Sequence, residues 1–221
     1  MRNNSYYIMD FSKGTIFALN YNYGYITKTS FSEPAFMIAI NASLYITGAG
    51  NIWKTDKYLN VLQTYNESGN YRGIYFNSTE NLIYVASKSY EYIQVFDLNL
   101  TNKYIVNLPP SYKARSFGEY NNELYVGTYN SIVLVVVNKA IIRNFTACVG
   151  FISISSIVFD NYGFMGISCQ KDNQNNSVEL YYFNGTFAGK KLSTPERTVF
   201  FGLDSKKRFV IISQKEISIY Y

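Results

Sequence analysis

The residue types that most enzymes use for catalysis are scarce in this chain. The 221 residues include no histidine, which excludes a Ser-His-Asp triad, a Cys-His pair, histidine-ligated zinc or iron and a histidine pH switch. Only 15 residues are Asp or Glu, and no paired-carboxylate motif, phosphate-binding loop or glycine-rich dinucleotide fingerprint occurs. We therefore expect no cofactor and no bound metal, and a binding protein is favoured over an enzyme.

Asparagine-linked glycosylation is the modification that the sequence most clearly permits. Asn-x-Ser/Thr sequons are more frequent than composition alone would give, and such sequons mark surface loops of secreted proteins. They begin at Asn3, Asn41, Asn66, Asn77, Asn99, Asn144, Asn175 and Asn184. The preference of turns for Asn, Ser and Thr could explain part of the excess. We expect an extracellular or secretory-pathway location, with a cytoplasmic one as the alternative.

The charge distribution argues against nucleic acid and membrane partners. The net charge is +5, but its densest clusters, 190–191 and 206–208, are short and separate, as expected of solvated faces. The longest aliphatic run, 132–137, is far shorter than the roughly 20 residues that span a bilayer. The first residues lack the apolar segment of a secretory signal, so the chain is expected to be cytosolic or a portion of a longer product.

Short β-branched and aromatic runs separated by Gly, Asn and Asp predict an all-β fold. Turn-forming Asx residues recur in two interleaved series at intervals of 36 to 46 residues, and their side chains can bond the backbone two residues on. One series is Asn41, Asn77, Asn121, Asp160 and Asp204, and the other is Asn20, Asp56, Asp97, Asn138 and Asn184. Residues 71–113 show the unit most clearly, with predicted strands A to D at 73–76, 82–86, 93–96 and 103–106. Four antiparallel strands in about 42 residues form one blade of a β-propeller.

The recurring pattern resembles NHL or YVTN-type propeller repeats. Ile74-Tyr-Phe-Asn77, Asn81-Leu-Ile-Tyr-Val85 and Ile93-Gln-Val-Phe-Asp97 carry the likeness, which extends over most of the chain. The Trp-Asp signature of WD blades is absent, because the single tryptophan, Trp53, is followed by Lys54. The resemblance implies a propeller that could bind ligands, dock proteins or, as in lactonase-like relatives, hydrolyse esters.

The blade count rests on the two ends of the chain. We predict a single domain over 1–221 with about six four-stranded blade units and incomplete terminal blades, either as a ring or as a segment of a longer propeller; five blades is the alternative. The predicted units are 1–30, 31–70, 71–113, 114–154, 155–198 and 199–221.

Blade topology assigns the candidate site residues to faces. In a four-stranded blade the A–B and C–D turns lie on one face and the B–C and D–A connections lie on the other. Arg72, Arg115 and Arg197 precede strand A, where they could meet an anionic group, or each could make a structural hydrogen bond. Cys148 and Cys169 approach this same face, which predicts a disulfide, with two buried free thiols as the alternative.

These features favour a non-catalytic recognition module that binds a protein or glycan through the B–C/D–A face. Several sequons fall on the opposite face, where glycans would leave less room for a partner. The alternative is a lactonase- or esterase-like hydrolase with a divalent metal in the central funnel. That enzyme requires converging oxygen ligands, and the sequence places Asp160 and Asp204 in A–B turns on the wrong face.

Overall fold

A computed structural model describes residues 5–171, 176–194, 198–203, 208–213 and 217–220. Within these residues the chain forms 20 β-strands and no helix, so the predicted all-β class is confirmed. No segment of the described chain is a long apolar helix of the kind that crosses a bilayer. By its contacts the chain divides into two compact units, residues 1–107 and 108–221.

The first unit contains nine strands in two sheets. Its strands are β1 (Tyr6–Asp10), β2 (Thr15–Leu19), β3 (Tyr25–Ser30), β4 (Pro34–Ile40), β5 (Ser43–Thr55), β6 (Val61–Asn77), β7 (Leu82–Ser87), β8 (Tyr92–Phe96) and β9 (Asn102–Asn107). Strands β1 to β3 form one antiparallel sheet and β4 to β9 form the other. Two strands of the larger sheet change partners along their length, since β5 pairs first with β4 and then with β6, and β6 pairs with β7 from Tyr71 onwards. The larger sheet therefore supplies two sets of blade strands, which we call blades I (34–70) and II (71–107).

The second unit contains eleven strands in three sheets. Its strands are β10 (Ala114–Tyr120), β11 (Glu123–Thr128), β12 (Ile132–Val137), β13 (Ala140–Thr146), β14 (Ser153–Phe159), β15 (Phe164–Gln170), β16 (Asn176–Tyr182), β17 (Phe187–Thr194), β18 (Thr198–Leu203), β19 (Phe209–Ser213) and β20 (Ile217–Tyr220). Blades III (β10–β13) and IV (β14–β17) have four strands each, and β18 to β20 form a three-stranded sheet.

The predicted number of blades is corrected by these sheets. The described residues show four blades, not six and not five, and the first and last sheets have three strands each. The spacing of the Asx turns overestimated the number of blades, because the same turns connect strands in the three-stranded sheets and in the four-stranded blades. Asp204 lies outside the described residues.

Apolar side chains are buried between successive sheets, as expected when strands alternate their faces. One core of the first unit contains Ile16, Ile46 and Trp53, and a second contains Tyr45, Ile52, Tyr71, Ile83 and Phe96. In the second unit the main core contains Tyr125, Val135, Ile157, Met165 and Tyr181. Packing between blades thus supplies most of the buried apolar surface.

A tyrosine hydroxyl adds a specific bond between neighbouring blades. The Tyr45 hydroxyl of blade I donates to the Leu98 carbonyl of blade II over 2.8 Å. The Tyr125 hydroxyl of blade III lies 3.3 Å from the Phe183 carbonyl of blade IV, but its shorter bond, over 2.8 Å, goes to Glu123 Oε2 of its own blade. Burial raises the pKa of the Tyr125 phenol to about 12, so these hydroxyls stay protonated and can donate at neutral pH.

Three of the ten predicted Asx turns share one five-residue geometry. In the turns that start at Asn20, Asp56 and Asp97, the side-chain Oδ1 of the first residue accepts from the backbone N–H groups of the third and fifth residues. The fourth residue donates to the first carbonyl over 3.0–3.1 Å and has a positive φ. Asp160 caps its own turn through Tyr162 and Phe164, so the Asx prediction is confirmed at these positions.

Candidate functional site

A cleft of about 770 Å³ opens in the first unit between the β1–β3 sheet and blade I. It is lined by the start of β1, by the β4–β5 turn at Asn41 and by the β5–β6 turn at Asp56, Lys57 and Tyr58. Both turns belong to the A–B/C–D side of blade I. We call this feature the tyrosine cleft because Tyr6, Tyr7 and Tyr58 line it. The sequence-based expectation placed the binding surface on the other face.

Exposed tyrosines occur in the cleft and on the β1–β3 sheet that forms one of its sides. Tyr6 stacks on Tyr23 of the β2–β3 turn, with ring centroids 5.1 Å apart and an interplanar angle of 24°. The exposed members of the group are Tyr6, Tyr21, Tyr23, Tyr25 and Tyr58, each between 42% and 71% exposed. A tyrosine ring carries a large apolar area and a polar tip, and such side chains are enriched where proteins meet partners.

The β2–β3 turn is the element that sets Tyr23 apart. Tyr23 has φ 60° and occupies the fourth position of the five-residue turn. At the same position of the following turns, Leu59 (φ 66°) and Leu100 (φ 52°) are buried, with 1% and 4% of their surface exposed. Tyr23 is 71% exposed. A left-handed conformation costs a non-glycine residue about 1 kcal/mol or more, and burial offsets that cost for the leucines but not for Tyr23.

Charged groups contribute little to the cleft. The Lys57 ammonium lies 4.9 Å from the centroid of the exposed Tyr58 ring. Burial would raise the pKa of the Asp56 carboxyl, but hydrogen bonds from Asn60 and from the Tyr58 backbone outweigh it and hold this pKa below its ordinary value. Burial raises the pKa of the Tyr7 phenol. The site therefore consists mainly of aromatic and small polar surface.

Two of the three predicted arginines, Arg72 and Arg115, lie within the described residues, and each takes part in a structural hydrogen bond. The Arg115 guanidinium donates to Ser153 Oγ and Gln170 Oε1 of blade IV and lies 5.3 Å from the Tyr129 ring centroid. Arg72 accepts a 2.5 Å bond from the Thr47 hydroxyl through its backbone carbonyl. Arg197 lies outside the described residues. Arg115 thus bridges two blades, which is the structural role weighed against a ligand role, and the ligand role of the three stays a prediction.

Cys148 and Cys169 lie at disulfide distance, with their Cα atoms 5.3 Å apart and both side chains fully buried. Among the described residues, these cysteines and Glu179 form the one group of three potential ligands close enough to share an ion. Its two sulfur atoms are paired with each other, so the group does not supply the set of oxygen ligands that the alternative hydrolase needs.

Most of the sequon asparagines that the structure describes are exposed. The exposed ones are Asn41, Asn66, Asn99, Asn144 and Asn184. Asn77 is half-buried, and its Oδ1 accepts from the backbone N–H groups of Thr79 and Glu80. Asn3 and Asn175 lie outside the described residues. Use of the sequons stays a prediction.

A polar cluster lies where β6 passes from blade I to blade II. Glu67 Oε2 accepts from the hydroxyls of Tyr65 (2.8 Å) and Tyr71 (3.0 Å) and from Gln94 Nε2 (2.6 Å). Burial would raise the pKa of the Glu67 carboxyl, but these three donors lower it below its ordinary value. The Tyr71 side chain is fully buried within this cluster.

Comparisons with known proteins identify the fold alone. No family model matches the chain, and no curated protein matches it. The WD40 domain of Neurospora crassa Pan2 superposes with a TM-score of 0.71 at 10% identity, over 98% of this chain and 75% of that one. A chain from the mitotic checkpoint complex gives a TM-score of 0.72 at 11% identity, over 94% of this chain and 68% of that one.

These likenesses show a β-propeller fold, the architecture of WD40 domains. Because 1113 chains of solved structures match, the likeness points to a widespread fold and not to an activity. The NHL or YVTN subtype is not among these findings.

Sequence reasoning missed the tyrosine cleft. Tyrosine is common in strands, so 23 tyrosines in an all-β chain gave no reason to single out five of them. An alignment of the Asx turns could have identified it. Tyr23 stands where the next two aligned turns have Leu59 and Leu100, and a tyrosine at a position otherwise occupied by leucine would have marked the turn as unusual.

Proposed function

We propose that the chain is a non-catalytic recognition module, acting as one propeller domain, that binds a protein partner through the tyrosine cleft. The observation that carries the proposal is the exposure of Tyr23 at a turn position where Leu59 and Leu100 are buried. A strained residue that contributes little to the core is a cost to folding, and such costs are typical of binding sites.

The composition of the cleft favours a protein partner over a glycan. Tyrosines supply large contact areas with few rotatable bonds, so little conformational entropy is lost when they are buried against another protein. Sugar recognition needs several free polar groups in fixed positions, and both oxygens of the Asp56 carboxylate already bond within the β5–β6 turn. A glycan ligand is therefore an outcome that the test must be able to detect.

Blade subtype, location and binding face complete the proposal. We assign the blades to the NHL or YVTN type on their sequence pattern. A fully buried cysteine pair at disulfide distance supports an extracellular or secretory location, since disulfides persist in oxidising compartments. The A–B/C–D side of the first unit replaces the B–C/D–A face as the main binding surface. Neither nucleic acid nor membrane insertion is part of this function.

Site-specific photocrosslinking tests the proposal. The photoreactive residue p-benzoylphenylalanine replaces Tyr23 in one variant and Tyr162 in a control. Tyr162 lies in the second unit and is 78% exposed, so it matches Tyr23 in residue type and exposure. After irradiation in cells that express the protein, Tyr23 should yield a discrete protein adduct, and the adduct should be lost when Tyr58 is also changed to serine.

Two outcomes would contradict the proposal. Adducts of the same mass and yield from both positions would show nonspecific contact. Retention of the Tyr23 adduct in the Tyr58→Ser variant would show that the cleft does not form the interface. A glycan array probed with the wild-type protein and with Tyr23→Ser tests the glycan alternative. If the ligand is a glycan, the wild-type protein should bind glycans on the array in the absence of any protein partner, and Tyr23→Ser should not.

A further inference from the structure

A second exposed feature lies in the other unit, on the B–C/D–A side of blade IV. Residues 148–152 connect β13 to β14, and we call them the knuckle. The Phe151 N–H donates to the Cys148 carbonyl over 2.9 Å, and Gly150 has φ 83°. A hydrogen-bonded four-residue turn with glycine at its third position and φ near +80° is a type II β-turn. Val149 is therefore at the tip of a defined turn.

Several bonds attach the knuckle to blade IV. Cys148 pairs with Cys169 of β15, and its backbone N–H donates to Glu179 Oε2 and to the Tyr181 hydroxyl, both over 3.1 Å. The Ile152 N–H donates to the Gln170 carbonyl over 2.9 Å. Both ends of the turn are thus tied to the strands beneath it.

Contacts of Phe151 hold the turn from the side. Its carbonyl accepts a 2.6 Å bond from the Ser131 hydroxyl, and the Lys191 ammonium lies 4.6 Å from its ring centroid. Lys191 also pairs with the buried Glu179 over 2.9 Å. The turn is therefore positioned before any partner arrives, which reduces the entropy lost on binding.

The knuckle presents apolar side chains to solvent. Val149 is 75% exposed and Ile152 is 60% exposed, although Ala147 and Cys148 beside them are fully buried. The comparable connections between sheets in the first unit and at the start of the second also begin with a buried apolar residue, Phe31 and Leu108, as this one does with Ala147. Their exposed residues are polar or proline, namely Ser32, Glu33, Pro110 and Ser111. Val149 and Ile152 are held in solvent by a hydrogen-bonded turn, so they contribute little to the buried core.

Two lysines lie beside the knuckle. Lys171 follows Gln170, whose carbonyl bonds Ile152, and is exposed. Lys191 of β17 contacts the Phe151 ring and pairs with Glu179, and its side chain remains 41% exposed. A partner surface that faces these groups is matched best by acidic side chains, because complementary charge speeds association and fixes orientation.

We propose that the knuckle is a second docking element, which inserts Val149 and Ile152 into an apolar pocket with an acidic rim on a protein partner. The Cys148–Cys169 pair fixes the start of the turn, so reduction of the pair weakens docking by loosening that end, while the Ile152 bond to the Gln170 carbonyl still attaches the other end to β15. This inference is independent of the tyrosine cleft, because it involves different residues in the other unit.

A random 12-residue peptide library displayed on phage provides the probe. The full chain, oxidised, is the bait, and the selected peptides are measured by fluorescence polarisation. We expect peptides that combine aliphatic or aromatic residues with Asp or Glu. Val149→Ser and Ile152→Ser should each weaken their binding at least tenfold, and Val149→Ile should retain it. Ile142→Ser is the matched control, because Ile142 is 53% exposed on β13 of the same unit.

The redox part is tested with the same peptides. Dithiothreitol should weaken binding to the wild-type protein by about tenfold, and should have no effect on the Cys148→Ala/Cys169→Ala variant, whose binding is already weak. If that variant fails to fold, the serine variants at 149 and 152 still decide whether the knuckle docks. The inference would be overturned if the library yielded no binding peptide, or if Val149→Ser bound the selected peptides as tightly as the wild-type protein does. It would also be overturned if Tyr23→Asn abolished peptide binding and Val149→Ser did not.

Discussion

Tyr23 and Leu59 occupy the same position of the same hydrogen-bonded turn in successive sheets, but Tyr23 is 71% exposed and Leu59 is 1% exposed. Both have a left-handed backbone, with φ 60° and 66°. One turn geometry thus supports a core contact at one site and an exposed aromatic ring at the other. The contrast separates what the turn does for folding from what its side chain does for binding.

Exchanging each of these residues for asparagine should give opposite results. Asparagine tolerates the left-handed conformation, so Tyr23→Asn should change the midpoint of thermal unfolding by no more than about 2 °C, a shift of at most about 1 kcal/mol. Leu59→Asn should lower the free energy of unfolding by about 2–4 kcal/mol, because it removes a buried side chain and buries an amide. Calorimetry measures both, and a Tyr23→Asn variant as unstable as Leu59→Asn would assign Tyr23 to the core.

The cysteine pair should stabilise the fold by about 3 kcal/mol, because it closes a loop with a sequence separation of 21 residues and restricts the unfolded chain. Guanidinium unfolding of Cys148→Ala/Cys169→Ala should therefore show a lower midpoint than that of the oxidised wild-type protein. Reductant should shift the wild-type curve towards that of the double variant and leave the variant unchanged. Equal midpoints for all samples would show that the cysteines do not pair in solution.

Glu67 should make stability depend on acid pH. Its pKa is lowered in the folded state, because the bonds from Gln94, Tyr65 and Tyr71 outweigh the effect of burial. A lowered folded-state pKa gives a contribution that is complete above the unfolded-state value, near 4.3, and is lost as pH falls through the folded-state pKa. Glu67→Gln should flatten the urea-unfolding profile below about pH 4.3. Glu33→Gln, at an exposed residue, controls for the loss of one negative charge.

Arg115 distinguishes a structural arginine from a ligand-binding one. Lysine cannot bond Ser153 and Gln170 together from the same position, so Arg115→Lys should lower the free energy of unfolding by about 1–3 kcal/mol. Arg72→Lys is the control, since the Thr47 hydroxyl bonds the Arg72 backbone. Unchanged stability together with lost binding of a poly-glutamate peptide would instead support the anionic-ligand prediction for Arg115.

Sequon use should follow exposure. After expression through a eukaryotic secretory pathway with an added signal peptide, glycopeptide mass spectrometry should find Asn41, Asn99 and Asn184 occupied more than the half-buried Asn77. Because Asn41 lines the tyrosine cleft, Asn41→Gln should increase the Tyr23 crosslink of the glycosylated protein. Asn144→Gln, in the other unit, should leave the crosslink unchanged. Full occupancy at Asn77 with none at Asn41 would contradict the exposure argument.

The sequence predicted individual strands better than their grouping. The predicted strands at 82–86, 93–96 and 103–106 agree with β7, β8 and β9 within one residue at each end, because the capping Asx residues fix where strands begin and end. The predicted unit boundary after residue 70 falls where β6 changes partner, but the sequence did not show that β5 and β6 each continue as one strand. There the chain changes partner without an intervening Asx turn, and pairing partners depend on tertiary packing.

The sequence could not tell which tyrosines are exposed, for a physical reason. Tyr71 and Tyr23 have the same side chain, yet one is fully buried beside Glu67 and the other is exposed on a turn. Composition cannot separate them, because a tyrosine satisfies both environments. The cysteine pair could be predicted from the sequence, because two cysteines allow only one pairing and the predicted strands place both on the same face.

The bond from the Tyr45 hydroxyl of blade I to blade II ends on a main-chain oxygen, that of Leu98. Every residue type supplies that acceptor, so the side chain at the receiving position is free to vary over generations without loss of this bond. A blade copied by gene duplication would therefore carry the acceptor whatever the sequence of its turn. The apolar residues between the blades must still fit one another, so duplication leaves the receiving turns, more than the packed faces, free to diverge towards new surfaces.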